Sequence, residues 1–198
     1  MTTASAAPPL PDELRRIQDD LDDNERRAAA LLSGLDDAAV NWRPDGRSWS
    51  TGQCLDHLNV AARVYLAAME PALEAARRKG RTRRGPIRPG WFERKFLESL
   101  EPPPKRKLPA PSKIVPTMRG NREKLLEEFR RQHANLSELI SASAGLDLGS
   151  IRFQNPFIPL LRFTVGTGLL VIAAHERRHL WQAEQLRMRP GFPGALTF

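Results

Sequence analysis

The chain of 198 residues is poor in several things, and each shortage closes a class of explanation. Its single cysteine, Cys54, forbids an internal disulfide and suits a reducing cytoplasm. The longest apolar stretch, Val165 to Ala174, is far short of the ~20 residues that a membrane span needs. Met1 to Leu10 lacks the basic and apolar regions of a signal peptide, so a cytoplasmic location is expected and membrane association is not. There is no phosphate-cradling glycine loop, no serine-histidine-aspartate set and no paired catalytic carboxylates. No internal repeat and no convincing strand pattern is found.

What is present is helical periodicity. Leu14, Ile17, Leu21, Ala28, Leu31 and Leu32 recur at helix spacing after Pro11-Asp12-Glu13, and Gly34 ends the run. Ser50 and Gln53 form a capping-box signature for a second helix reaching to about Arg78, with Cys54, Leu58, Ala61, Tyr65 and Met69 inward. A third helix is predicted from about Thr117 to Ser143 and a fourth from about Thr164 to Met188, closed by Pro190-Gly191. Between the last two, Ile151 to Phe163 carries Pro156 and Pro159 and reads as a packed loop. The fold class is therefore all-α: a four-helix bundle with one long crossover between helices 2 and 3. The expected organisation is a flexible N-terminus over 1–10, one helical domain over 11–190 and a tail over 191–198.

That crossover holds the charge. Residues 77–107 carry 12 Lys/Arg against three acids, within a chain of formal net charge +8, so the remainder is near neutral. The segment is rich in Pro and Gly; only Trp91 to Leu100 reads as a short helix, its Trp91, Phe92, Phe96 and Leu97 or Leu100 docking on the bundle. Such a run could grip nucleic acid or an acidic partner. It contains no nucleic-acid motif, so a solvated loop is the favoured reading and nucleic-acid binding is not expected.

The chemistry concentrates in histidines. His175 and His179 lie four residues apart and so share one helix face, about 40° apart on the wheel and close to Gly168, Val171 and Leu186. His57 sits at the edge of the inward stripe of the second helix. Buried imidazoles need partners for both nitrogens. One alone would be read as an ordinary core residue, but an inward pair plus a third on another helix favours a shared metal ion. His133 has no partner by spacing and reads as structural. The letters His-Glu-x-x-His also occur in zinc proteases, with the glutamate as general base. Here Glu176 falls about 100° off the histidine face, Arg177 and Arg178 intervene, and the short tail leaves no room for a further ligand. That reading is set aside.

Three segments carry a resemblance: Asn41-Trp42-Arg43-Pro44, then Trp49-Ser50-Thr51-Gly52-Gln53-Cys54-Leu55-Asp56-His57-Leu58, then His175-Glu176-Arg177-Arg178-His179-Leu180-Trp181-Gln182. Together they resemble the DinB-like superfamily of metal-dependent four-helix bundles of the YfiT type. The resemblance implies an up-down-down-up bundle and a divalent metal, zinc or nickel, held by His57, His175 and His179. It further implies a small-molecule substrate, a homodimer, and either hydrolysis or transfer and isomerisation with a low-molecular-weight thiol. Many members place His-Pro before the last helix; this chain has Asn155-Pro156. Three imidazoles would leave a position open for water, whose pKa zinc lowers toward ~7, or for a thiolate. Gln182, one turn past His179, is a candidate to orient a ligand, or else a buried structural amide. Cys54, one turn before His57, could approach the site, although a small core residue is the favoured reading. Two readings compete with an enzyme: a metal-stabilised bundle without turnover, and a binding protein that uses the basic segment.

Overall fold

The computed structural model describes residues 10–105, 111, 114–116 and 120–193. Among these residues the chain is mostly helical, with six α-helices and one short hairpin. The ends assigned to a flexible N-terminus and a C-terminal tail fall mostly outside this set, as do Thr117 and Met118, which the sequence placed in the third long helix.

Three of the long helices start where a side chain caps the first free amides, and the first starts on a proline. Helix α1, Asp12–Leu32, follows Pro11 and carries Asp12 and Glu13 in its first turn, which suits the positive end of the helix dipole. It buries Leu14, Ile17, Leu21, Ala28, Leu31 and Leu32, and the chain then turns through Gly34 at φ +73°, a left-handed conformation glycine adopts without penalty. A short helix α2, Asp37–Val40, is capped by Asp36, which accepts from Ala39 N at 2.8 Å. The predicted capping box opens α3, Thr51–Arg78: Ser50 Oγ accepts from Gln53 N at 3.1 Å and Gln53 Oε1 accepts from Ser50 N at 3.0 Å. The helix runs on through Pro71.

Helix α4, Trp91–Leu100, lies where the sequence placed it, but its packing differs from expectation. Leu100 is buried, and Phe96 and Leu97 pack on the core, whereas Trp91 and Phe92 face solvent. Helix α5 is Arg122–Ser143, capped by Asn121, and α6 is Val165–Arg187, capped by Thr164. Between them the expected loop contains two strands, β1, Arg152–Gln154, and β2, Arg162–Thr164, paired antiparallel with Phe153 opposite Phe163. Three-residue strands offer too short an alternation to be read from sequence.

Helices α1 and α3 each pack against both α5 and α6. The interior they enclose has two apolar clusters separated along the helices. One gathers Leu14, Ile17, Leu21, Met69, Leu73, Leu136, Ile140, Phe163 and Leu169. The other gathers Ala28, Leu31, Leu32, Leu55, Leu58, Phe129, Leu180 and Ala183. The gap between them on α1, α5 and α6 is filled by Asn24, His133, and His175 with Glu176, a polar layer at mid-height. Burying polar groups there is unfavourable unless each finds a partner, which makes this layer the place to look for function.

Candidate metal centre

His57, His175 and His179 meet at this level, each offering a nitrogen within 4.8 Å of the others. Sequence spacing brings the latter two together on α6, and the packing of α3 on α6 brings the first. His57 is 1 % exposed and His179 is buried, while His175 is only partly covered, so the group is open on the His175 side. His57 Nε2 lies 3.1 Å from His175 Nε2, and the ring of His179 is centred 4.5 Å from that of His57.

The outer nitrogens fix the tautomers. His57 Nδ1 stands 2.6 Å from the Ile114 carbonyl oxygen, which can only accept, so Nδ1 carries the proton and Nε2 presents a lone pair. His179 Nδ1 stands 3.1 Å from Gln182 Oε1, which assigns the same tautomer. The His57 lone pair therefore points at a third imidazole nitrogen, His175 Nε2, with the His179 nitrogen close by. Protonation does not resolve the crowding. Burial holds the His57 imidazole below the ordinary histidine range, even though Ile114 and Asp56 oppose it. His175 lies well below that range, through burial first and then the fields of His179, His57 and Arg178. His179 falls to about 3, again through burial, with His57 and Arg178 adding to it. Three neutral imidazoles whose nitrogens lie within 4.8 Å of one another fit a divalent cation, because neutral imidazole is the ligand form. The outward Nδ1–H bonds of His57 and His179 are also the arrangement that orients a metal-binding ring.

Trp49 walls the site, its ring stacked at 5.6 Å on His179 and tilted at 4.8 Å from His57. The turn before Ser50 sets it: Asp45 Oδ1 accepts from Arg47 N at 2.8 Å and Ser48 N at 2.6 Å, while Arg43 Nε donates to Ser48 O at 2.6 Å. A small cavity beside His175 is lined by Leu58, Ala61, Tyr65, Val171 and Ile172. The sequence marked Trp49 only as part of a motif and gave no sign of the Ile114 carbonyl, which is brought in by the crossover.

The residues between the two α6 histidines have separate duties. Glu176, 2 % exposed, turns away from the three rings; its oxygens accept from Asn24 Nδ2 at 3.0 Å and meet His133 Nε2 at 3.2 Å. It is therefore a link from α6 to α1 and α5, not a base for the site, as its position on the wheel indicates. His133 has a partner that spacing could not reveal; despite opposing burial, Glu176, then Glu25 and Asp22, hold its imidazole above the ordinary range. Arg177 reaches outward to Glu101 at 2.6 and 3.0 Å and to Asp20 at 3.1 Å. Arg178 Nη1 donates to Ser99 O at 2.9 Å. Both arginines thereby fasten the end of α4 across α6.

Two further candidates settle into other roles. Cys54 is fully buried and its thiol is pushed up to about 12 by desolvation, so it is a core residue without nucleophilic character. Asn155 hydrogen-bonds Tyr65 Oη at 3.0 Å and accepts from Phe157 N and Ile158 N at 2.9 and 2.8 Å, so it shapes the hairpin loop.

No significant match was found among curated proteins or solved structures. A family model described as the DinB superfamily matches residues 20–183, a span that includes α3, most of α6 and all three histidines of the group. With that match over most of its length, the chain belongs to the DinB superfamily.

Proposed function

We propose that the protein is a metal-dependent enzyme acting on a small molecule, with one divalent ion, zinc or nickel, held by His57, His175 and His179. The observation that carries this reading is the pair of outward Nδ1–H bonds, to Ile114 O and Gln182 Oε1, which leave Nε2 lone pairs free in a group whose nitrogens lie within 4.8 Å of one another. A structural zinc site is closed by four protein ligands, whereas three ligands on a partly open side leave room for a reactant. A divalent ion held so would lower the pKa of water or a thiol and polarise a substrate oxygen. Hydrolysis and transfer with a low-molecular-weight thiol both use that chemistry. In either case Trp49 and the apolar residues beside His175 exclude water, and Gln182 holds the His179 ring in its orientation. The ring of contacts among α1, α3, α5 and α6 supports a four-helix bundle, for which we propose the up-down-down-up order. A cytoplasmic homodimer is part of the same proposal.

The test is metal analysis of untagged protein after reconstitution, wild type beside His57→Ala and His179→Ala. About one ion per chain in the wild type, and loss in both variants, is expected. Wild-type protein that takes up none refutes the metal site. Screening the loaded protein for hydrolysis and for thiol consumption then tests the enzyme reading. Metal that stabilises the fold, with no turnover in either screen, would assign the protein as a scaffold.

A further inference from the structure

The two aromatic side chains expected to dock on the bundle do not. Trp91 is 69 % exposed and Phe92 54 % exposed, both in the first turn of α4. They stand at the end of a basic stretch that the fold holds in place. Arg83 N donates to Gly145 O at 2.8 Å, Thr82 bridges Leu146, and Ile87 sits against Gly166, where a Cβ would come within 2.7 Å of it. Backbone fixed in this way presents its outward side chains as a surface.

Part of the charge is spent locally. Arg83 pairs with Glu13, Lys95 with Glu98 at 2.7 Å, and Arg94 donates to Pro89 O at 2.8 Å. Arg81, Arg84 and Arg88 are exposed, and no acid among the described residues pairs with them. Three uncompensated guanidinium groups and two solvent-facing aromatics lie within one stretch, residues 81–92, which repels a second copy of itself and attracts phosphate.

We propose that this patch, Arg81, Arg84, Arg88, Trp91 and Phe92, is a peripheral contact for an anionic lipid surface. Interfacial anchoring combines aromatic rings at headgroup depth with cations that reach the phosphates. A single-stranded nucleic acid needs aromatics spaced along a groove to stack successive bases. Here they are consecutive, and neither described cavity is lined by this stretch. No described helix is long and apolar enough to cross a membrane, so the contact is a surface one.

Sedimentation of the full-length protein with phosphatidylcholine vesicles, with and without phosphatidylglycerol, tests this. Binding is expected only with phosphatidylglycerol and is lost in about 1 M salt, where charges are screened beyond about 3 Å. Arg84→Gln and Arg88→Gln should each weaken it about fivefold. Trp91→Ser with Phe92→Ser should weaken it too and remove a lipid-induced blue shift in tryptophan emission. Should the double aromatic variant fail to fold, by circular dichroism, the arginine variants decide. No binding, equal binding to both vesicles, wild-type binding by the arginine variants, or preference for single-stranded RNA at equal phosphate concentration overturns the proposal.

Discussion

Replacing Glu176 separates its two conceivable roles. Its carboxylate and the His133 ring are 2 % and 5 % exposed, 3.2 Å apart, and Asn24 Nδ2 donates to the same carboxylate at 3.0 Å. Asn24 keeps a second acceptor in Ala173 O at 3.1 Å, but among the described residues the only side-chain hydrogen bond of His133 is the one to Glu176, its Nδ1 lying 3.9 Å from Glu25. Removing one partner of a buried, hydrogen-bonded pair costs about 3–5 kcal/mol, whereas replacing both with packed apolar groups is close to neutral. Glu176→Ala should therefore lower unfolding stability in urea by about 3 kcal/mol or more. Glu176→Leu with His133→Leu should recover much of that. The pair also carries a pH signature. His133 is raised above its unfolded value of 6.5, so its contribution is fully present below that pH and is lost as pH rises through the folded value. The gap between wild type and Glu176→Ala should narrow accordingly in alkaline buffer. A loss under 1 kcal/mol, or a double variant no more stable than the worse single one, would refute the clamp assignment.

Other consequences follow from burial and packing. With metal removed by a chelator, stability should fall as pH drops from 6.5 toward 5.0. His179 stays neutral down to about 3 in the folded protein while its unfolded counterpart takes a proton. Over that interval the linkage amounts to about 1.5 kcal/mol from this residue alone; His133, half protonated in the unfolded chain at pH 6.5, opposes it by only about 0.4 kcal/mol. A flat urea midpoint between the two pH values, or an unchanged slope in His179→Asn, would contradict the burial of neutral imidazole. At Gly168 a Cβ would lie 2.8 and 2.9 Å from the Phe153 ring and 3.2 Å from Met69 Sδ. Gly168→Val is expected to destabilise by about 2 kcal/mol despite a better helix former, through overpacking; an unchanged or raised melting temperature would exclude that contact.

How far the sequence could be read depended on the range of the interactions involved. The Ser50–Gln53 box, the left-handed Gly34 and the α4 limits were legible because each is settled within a few residues. The pairing of His175 with His179 was legible for the same reason: helix geometry fixes it. The β1–β2 hairpin was not, since its registration depends on Phe153 and Phe163 finding the core under α6. Trp91 and Phe92 misled because an aromatic near an amphipathic run is ordinarily inward, and only the docking of Phe96, Leu97 and Leu100 determines which side of α4 is left outside.

The sequence by itself determined the long helices, the stripe that carries His175 and His179, and the concentration of positive charge in the crossover. These follow from periodicity, capping and composition, which act locally. Tertiary structure alone decided that His57 lies 3.1 Å from His175, that Ile114 fixes its tautomer, and that Glu176 meets Asn24 of α1 and His133 of α5. Those outcomes join residues 43 to 152 positions apart in the chain, and they exist only once two apolar clusters close around the polar layer between them.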